Sequence, residues 1–147
     1  MALKVKQFLV EDVDTYFDSM IATIENLVPA GEQTPDSMKK NLQNMLDQAS
    51  TIFVVIDDDE WVVGTITVLV EQKLTRWWAK AAHIEEIIVR KWSQGQGIGT
   101  MLVQQAIDFA REQWCYKIIW DTRDELVPRF EKFGFDSPER MIRKYLD

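Results

Sequence analysis

The sequence is poor in the residues that usually announce a chemistry: among 147 there are one cysteine, one histidine, four prolines and six glycines. The lone thiol, Cys115, has no intrachain disulfide partner, and it opens an apolar run where a buried thiol is common, so it reads as core and not as a nucleophile. The sole histidine, His83, lies inside a strand-like stretch and reads as structural rather than as a base. Basic residues are outnumbered, 17 against 24 acidic ones, and the net charge of −7 excludes nucleic acid as the main partner, since phosphate-backbone binding needs a basic face. Long apolar runs are missing as well. Nothing reaches the roughly 18 residues a membrane helix needs, and Met1–Lys6 has no apolar signal region. The expectation is a cytoplasmic, reducing compartment with no membrane partner and no bound metal.

What is present is material for a core. Apolar residues make up 46% of the chain, enough for one domain spanning 1–147 and too short for a second. From Val13 the residues Tyr16, Phe17, Met20, Ile21, Ile24, Leu27 and Val28 recur at helical spacing, with Asp12 placed as an N-cap. A second helix opens at Thr34 with Pro35 in its first turn and carries Met38, Leu42, Met45, Leu46 and Ala49 on one face. The period then becomes that of strands. Thr51–Ile56 and Trp61–Gln72 flank the acidic turn Asp57–Glu60 as a hairpin, and Ala82–Val89 is a third strand. A helix over Thr100–Gln113, a strand Cys115–Trp120, a helix Asp124–Phe133 and a last strand Arg140–Leu146 complete the reading. Pro128 fits its helix only near the first turn, which makes Asp124 the expected cap.

Between Ile84–Val89 and the helical segment Thr100–Gln113 stands Gln94-Gly95-Gln96-Gly97-Ile98-Gly99. Where no Cβ intervenes, backbone N–H groups approach phosphate oxygens closely, and the helix N-terminus that follows favours negative charge. No Lys followed by Ser or Thr closes the loop, and the three-glycine dinucleotide spacing is not matched; the pattern that fits is Gln-x-x-Gly-x-Gly. Taken with His83–Ile87 before the loop, Cys115–Ile119 after it, Phe130–Phe135 near the end and Leu27–Ser37, the chain resembles the GCN5-related N-acetyltransferases (GNAT), and within them the glucosamine-6-phosphate N-acetyltransferase branch. The resemblance covers nearly the whole chain, with its motifs in the family's order. It implies an α/β (α+β) fold: a single domain whose mixed, mostly antiparallel sheet is splayed at its centre and flanked by helices.

Acetyl transfer to an amine needs a donor held in line, a neutral amine and stabilisation of the developing oxyanion. A lysine-like amine is mostly protonated at neutral pH, and freeing its lone pair costs roughly 4–5 kcal/mol, so nearby carboxylates matter. Glu85 and Glu86 are adjacent on a strand, with side chains expected on opposite faces, and Asp121 ends a strand where open α/β sheets bind ligands. Lys73, Arg76, Lys80, Arg90 and Lys91 face only Glu85 and Glu86 between positions 72 and 92, which would draw anionic ligands to this region. The resemblance implies acetyl-CoA as co-substrate. It assigns the backbone of Ile87, Ile88 and Val89 to the pantetheine arm and the thioester oxygen, with Phe130 beside the cofactor. Gln94, Gly95, Gln96, Gly97, Ile98, Gly99 and Thr100 would hold the pyrophosphate. Catalysis falls to Glu85, Glu86 and Asp121. An amino-sugar phosphate would meet these three together with Lys73, Arg76, Tyr116, Lys117 and Arg143.

The chain departs from the family at four places. Phe130 stands where the family has a general-acid Tyr for the leaving thiolate, which leaves Tyr116 or water as donors; Leu126 replaces an Asn, Val28 a Thr that contacts the sugar phosphate, and Glu86 an Asp. The expected function is acetyl-CoA-dependent N-acetylation of a small primary amine, glucosamine 6-phosphate first. The rivals are a different amine (polyamine, amino acid or protein amine) and a non-catalytic acyl-CoA-binding domain. A homodimer is expected, with the strand Arg140–Leu146 as an edge that pairs across a two-fold axis, Trp77 and Trp78 as interface area, and Arg143 serving the partner's site.

Overall fold

β-branched residues carry the strands of the structure, a computed structural model that describes residues 2–146. β1 (Lys4–Gln7), β2 (Ser50–Ile56), β3 (Val62–Gln72), β4 (Lys80–Val89) and β5 (Cys115–Trp120) lie side by side in that order. The first three pairings are antiparallel and β4–β5 is parallel, so the sheet is mixed and mostly antiparallel, as expected. β1 went unread in the sequence: at four residues, with alternating Lys4 and Lys6, it is too short and polar to stand out.

Two apolar cores sandwich the sheet. On one face α1 (Val13–Ile24) and α2 (Pro35–Asp47) bury Val13, Met20, Met38 and Leu42 against Phe8, Val54 and Val62. On the other, α3 (Ile98–Glu112) lays Ile98, Leu102, Ala106 and Ala110 on Val55, Ile66, Val68 and Ile84. Thr34 caps α2 as expected, its hydroxyl accepting from Ser37 N–H at 3.1 Å. Asp12 precedes α1 without capping it by its side chain. Its carboxylate instead accepts from Leu9 N–H at 2.8 Å and pairs with Lys6. α1 also stops four residues short of the expected Val28, because Leu27 and Val28 are exposed and have no core to enter.

The last elements differ most from expectation. Asp124–Leu126 form a 3-10 turn, and α4 covers only Val127–Glu131, with Pro128 in its first turn where a missing N–H costs nothing. Residues 140–146 form no strand. Met141, Ile142, Tyr145 and Leu146 are exposed instead, since a strand needs a neighbour to accept its ladder and none pairs with them among the described residues.

Candidate active site

The β4–β5 ladder creates the cleft. It runs from Lys80↔Cys115 to Ile84↔Trp120 and ends there, so β4 continues through Glu85–Val89 with no strand on its β5 side. Arg90 N–H donates to Val63 carbonyl, and in that ladder phase Ile88 spends its backbone groups on β3 while the N–H groups of Ile87 and Val89 face the open side, left for a ligand. A 3-10 turn, Lys91–Ser93, follows β4 and hands the chain to the glycine loop. Gly95 and Gly97 have φ of +79° and +82°, a region L side chains rarely adopt, and a Cβ at either would meet open space. The glycines therefore serve backbone conformation and leave room above the loop. Gly97 is also the N-cap of α3 and offers no side chain to the first-turn amides of Ile98, Gly99 and Thr100, which face outward at a helix start with uncompensated donors. Gln94 folds back, its Nε2 donating to Val89 carbonyl at 3.3 Å. Such a loop leaves room for an anion at the start of α3.

Glu85 and Glu86 do not obey the expected alternation. β3 pairs Thr67 with Glu86 but Val68 with Ile84, so Glu85 is the extra residue of a β-bulge. The packing confirms the shift, because Ile84, Ile87 and Val89 all lie against the α3 core although 84 and 87 are of opposite parity. Both carboxylates are exposed as a result, Glu86 on the side of Thr67. Asp121, also exposed, follows β5 at the open end of the cleft. Phe130, from α4, packs tilted against Trp120 with ring centroids 4.0 Å apart, which holds an apolar wall where β5 leaves the ladder.

The remaining candidates lie elsewhere. Lys73 and Arg76 occupy the β3–β4 turn, and Tyr116 and Lys117 open β5, so all four gather at the end of the sheet opposite the glycine loop. Tyr116 and Asp121 are five strand steps apart, about 16 Å. Tyr116 of the same chain is therefore no proton donor for the cleft, and Lys73, Arg76 and Tyr116 do not join Glu85, Glu86 and Asp121 within one chain, whereas Lys117 lines one cavity together with Asp121. Arg76 places its guanidinium carbon 4.8 Å over the Tyr116 ring. Lys73 is held at 2.7 Å by Glu71, which also meets His83 Nε2 at 2.7 Å. Lys73, then His83, draws the Glu71 carboxyl below its ordinary value. His83 is thereby structural, as expected. Arg143 lies on the exposed C-terminal segment, donating to Tyr145 hydroxyl at 3.1 Å. A cavity of about 620 Å³ separates β5 from that segment, lined by Ile119, Asp121, Phe130, Phe135 and Met141. It flanks the cleft and does not include the glycine loop.

Sequence reasoning missed four contributors. Glu71 was findable, since hairpin register sets Glu71 two residues beyond Leu69, the partner of His83. Trp120 as the support of Phe130 carried no local signal. Gly64, on β3, proves to be the close-approach point for α3, where an added Cβ would stand 2.6 Å from Ile98 Cγ2. The fourth is the aromatic setting of Arg90 between Trp61 and Trp92, brought together only by the fold.

Residues 15–135 match the acetyltransferase (GNAT) family. The chain is 32% identical over 133 residues to the glucosamine 6-phosphate N-acetyltransferase of Candida albicans, covering 88% of this chain and 89% of that one. It is 33% identical over 82 residues to the enzyme of the same name from Trypanosoma brucei brucei, a match spanning 56% of each. In fold, it superposes on the crystal structure of a Trypanosoma brucei acetyltransferase with a TM-score of 0.90 at 23% identity, over 99% of this chain and 100% of the other.

Proposed function

The chain belongs to the acetyltransferase (GNAT) family, and we propose that it acetylates the amine of glucosamine 6-phosphate with acetyl-CoA, as a cytoplasmic homodimer of one domain per chain. The observation that carries this reading is the break in the β4–β5 ladder after Ile84, with the glycine loop at one lip and the carboxylates Glu85, Glu86 and Asp121 around it. Likeness over most of its length to relatives named for that substrate supports the choice of amine.

Acetyl-CoA, bound, supplies an acetyl thioester. The chain's part begins with the loop amides of Gly95–Thr100, which hold the pyrophosphate against the start of α3. Amides on the free edge of Ile87–Val89 donate toward the oxygen on which charge develops. Glu86 and Asp121 take up the ammonium proton, directly or through one water, so that the amine carries a lone pair at the moment of attack. Phe130 and Trp120 keep the wall apolar and supply no proton. This last feature favours a second reading, an acyl-CoA-binding domain without turnover.

Rates with glucosamine 6-phosphate, glucosamine, polyamines and amino acids separate the readings, alongside CoA calorimetry on wild type and Gly97→Val. We expect turnover that is fastest with the phosphorylated sugar and loss of CoA binding in the variant, since a β-branched residue resists the +82° φ of Gly97. CoA binding without turnover on any amine would leave the binding-domain reading standing, and unchanged affinity in a folded Gly97→Val would remove the loop from the site.

A further inference from the structure

Arg90 has a setting that neither the core nor the ion-pair network explains. Its side chain is only 8% exposed, and its Nε is sealed from solvent with no acceptor among the described residues. None of the ion pairs found among those residues involves it. Its guanidinium carbon instead lies 5.0 Å over the ring of Trp61 and 4.9 Å over that of Trp92. Contacts over indole rings use the face of a guanidinium and leave its in-plane N–H donors unspent. A cation held this way, without a carboxylate, is costly to keep unless an anion completes it. A planar fork with a free edge suits an oxyanion approached bidentately, above all a phosphate.

The position selects whose anion it is. Arg90 N–H donates to Val63 carbonyl at 2.9 Å, so the strand register continues past Val89. Lys91 N–H donates to Asn26 Oδ1 at 3.0 Å, which seats the end of β4 against the end of α1. α1 packs on the sheet face opposite α3, whereas the glycine loop crowns α3. Alternation puts Glu86 and Ile88 on a common side of β4, and carried one residue past the strand it puts Arg90 there too, about 13 Å from Glu86. Arg90, buried and held between its two indoles, would meet only the far end of an acceptor whose amine reaches Glu86. We propose that Arg90, held by Trp61 and Trp92, recognises the phosphate of the acceptor and sets the preference for a phosphorylated amine. The proposal rests on the reading that the acceptor's amine meets Glu86.

The test compares Arg90→Met, Arg90→Lys and Trp92→Ala with wild type. Trp92 is 73% exposed, so its replacement removes one wall without disturbing the core. Measured are kcat/KM for glucosamine 6-phosphate and for glucosamine, and Kd for CoA. The preference for the phosphorylated sugar should fall at least about tenfold in Arg90→Met and partly in the other two, through KM and with CoA affinity kept. A preference equal to wild type, equal losses on both sugars, or a loss confined to CoA affinity would overturn the proposal. Should wild type not acetylate glucosamine 6-phosphate, the substrate reading fails by itself. Inorganic phosphate is then titrated against the fluorescence of Trp61 and Trp92. A saturable change that disappears in Arg90→Met sustains the anion site, and no change, or one that persists in Arg90→Met, overturns it.

Discussion

Phe130 stands where the resembled family carries a general-acid Tyr, so the rate of the proposed turnover is tested first at this residue. A thiol with a pKa near 8.5 leaves tolerably as thiolate, and a general acid typically adds about 10²–10⁴-fold. Phe130→Tyr places a hydroxyl on a ring already fixed against Trp120. We expect kcat to rise, most at low pH, with KM for acetyl-CoA little changed; a flat pH comparison between the two proteins would show that leaving-group protonation does not limit. Glu71 gives a second prediction at this scale. Its carboxyl is depressed by the hydrogen bond from Lys73 and then that from His83, so what it contributes is present above the ordinary carboxylate range and is lost as pH falls through its lowered value. Fluorescence of Trp77 and Trp78, on the turn that Lys73 begins, should therefore stay constant through the ordinary carboxylate range and change only in more acidic solution. Glu71→Gln should lack that step, and an identical acid transition in the variant would assign it to another group. At residue scale the sequence disclosed Gly95, Gly97 and the exposed carboxylates, because unusual residues in a fixed spacing leave a local mark. It concealed the contacts of Glu71, Arg90 and Trp120, whose partners are distant in the chain.

The elements show why that division arises. Periodicity located α2, β2, β3, β4, α3 and β5 to within about two residues, since each buries a regular face in one of the two cores. It failed where a single inserted residue changes the phase. The bulge at Glu85 turns an expected opposition of Glu85 and Glu86 into common exposure, and nothing local marks it. It failed again in α4, where a 3-10 turn and Pro128 share one short segment. The position of α3 matters most for the proposed function, because its first turn is the proposed phosphate site, and Gly64 controls how closely that turn approaches the sheet. Gly64→Ala sets a methyl 2.6 Å from Ile98 Cγ2 and 3.3 Å from Ile88 carbonyl oxygen. Overpacking of this kind costs about 1–3 kcal/mol. Thermal unfolding should show that loss together with weaker CoA binding, and adding Ile98→Ala should recover part of the binding. Independent, additive effects in the double-mutant cycle would mean that the two residues do not meet as described.

At the scale of the whole molecule, the candidate acceptor residues are divided between two ends of the sheet. Glu85, Glu86 and Asp121 surround the cleft, while Lys73, Arg76 and Tyr116 lie at the far end and Lys117, near the start of β5, shares a cavity with Asp121. A second copy of the chain would unite them, and the surface has features that fit one. Ile142 is 94% and Trp77 98% exposed. Arg76, Trp77 and Trp78 hold three successive positive φ values, each costing roughly 1–2 kcal/mol, which suggests that the turn is shaped for a contact rather than for its own stability. β5 has β4 on one side and the cavity of about 620 Å³ beside it, and a strand from a partner's segment 140–146 would satisfy its free edge. We therefore expect a dimer by light scattering at micromolar concentration, with Arg143 of one copy serving the cleft of the other. Asp121→Asn and Arg143→Ala should each be nearly inactive alone. Co-refolded in equal amounts, they should regain about a quarter of wild-type turnover, since half of the dimers then hold one intact site out of two. A monomeric mass, or verified mixed dimers without recovery, would show that each chain completes its site unaided, and the far-end cations would then have to be assigned a role apart from the acceptor.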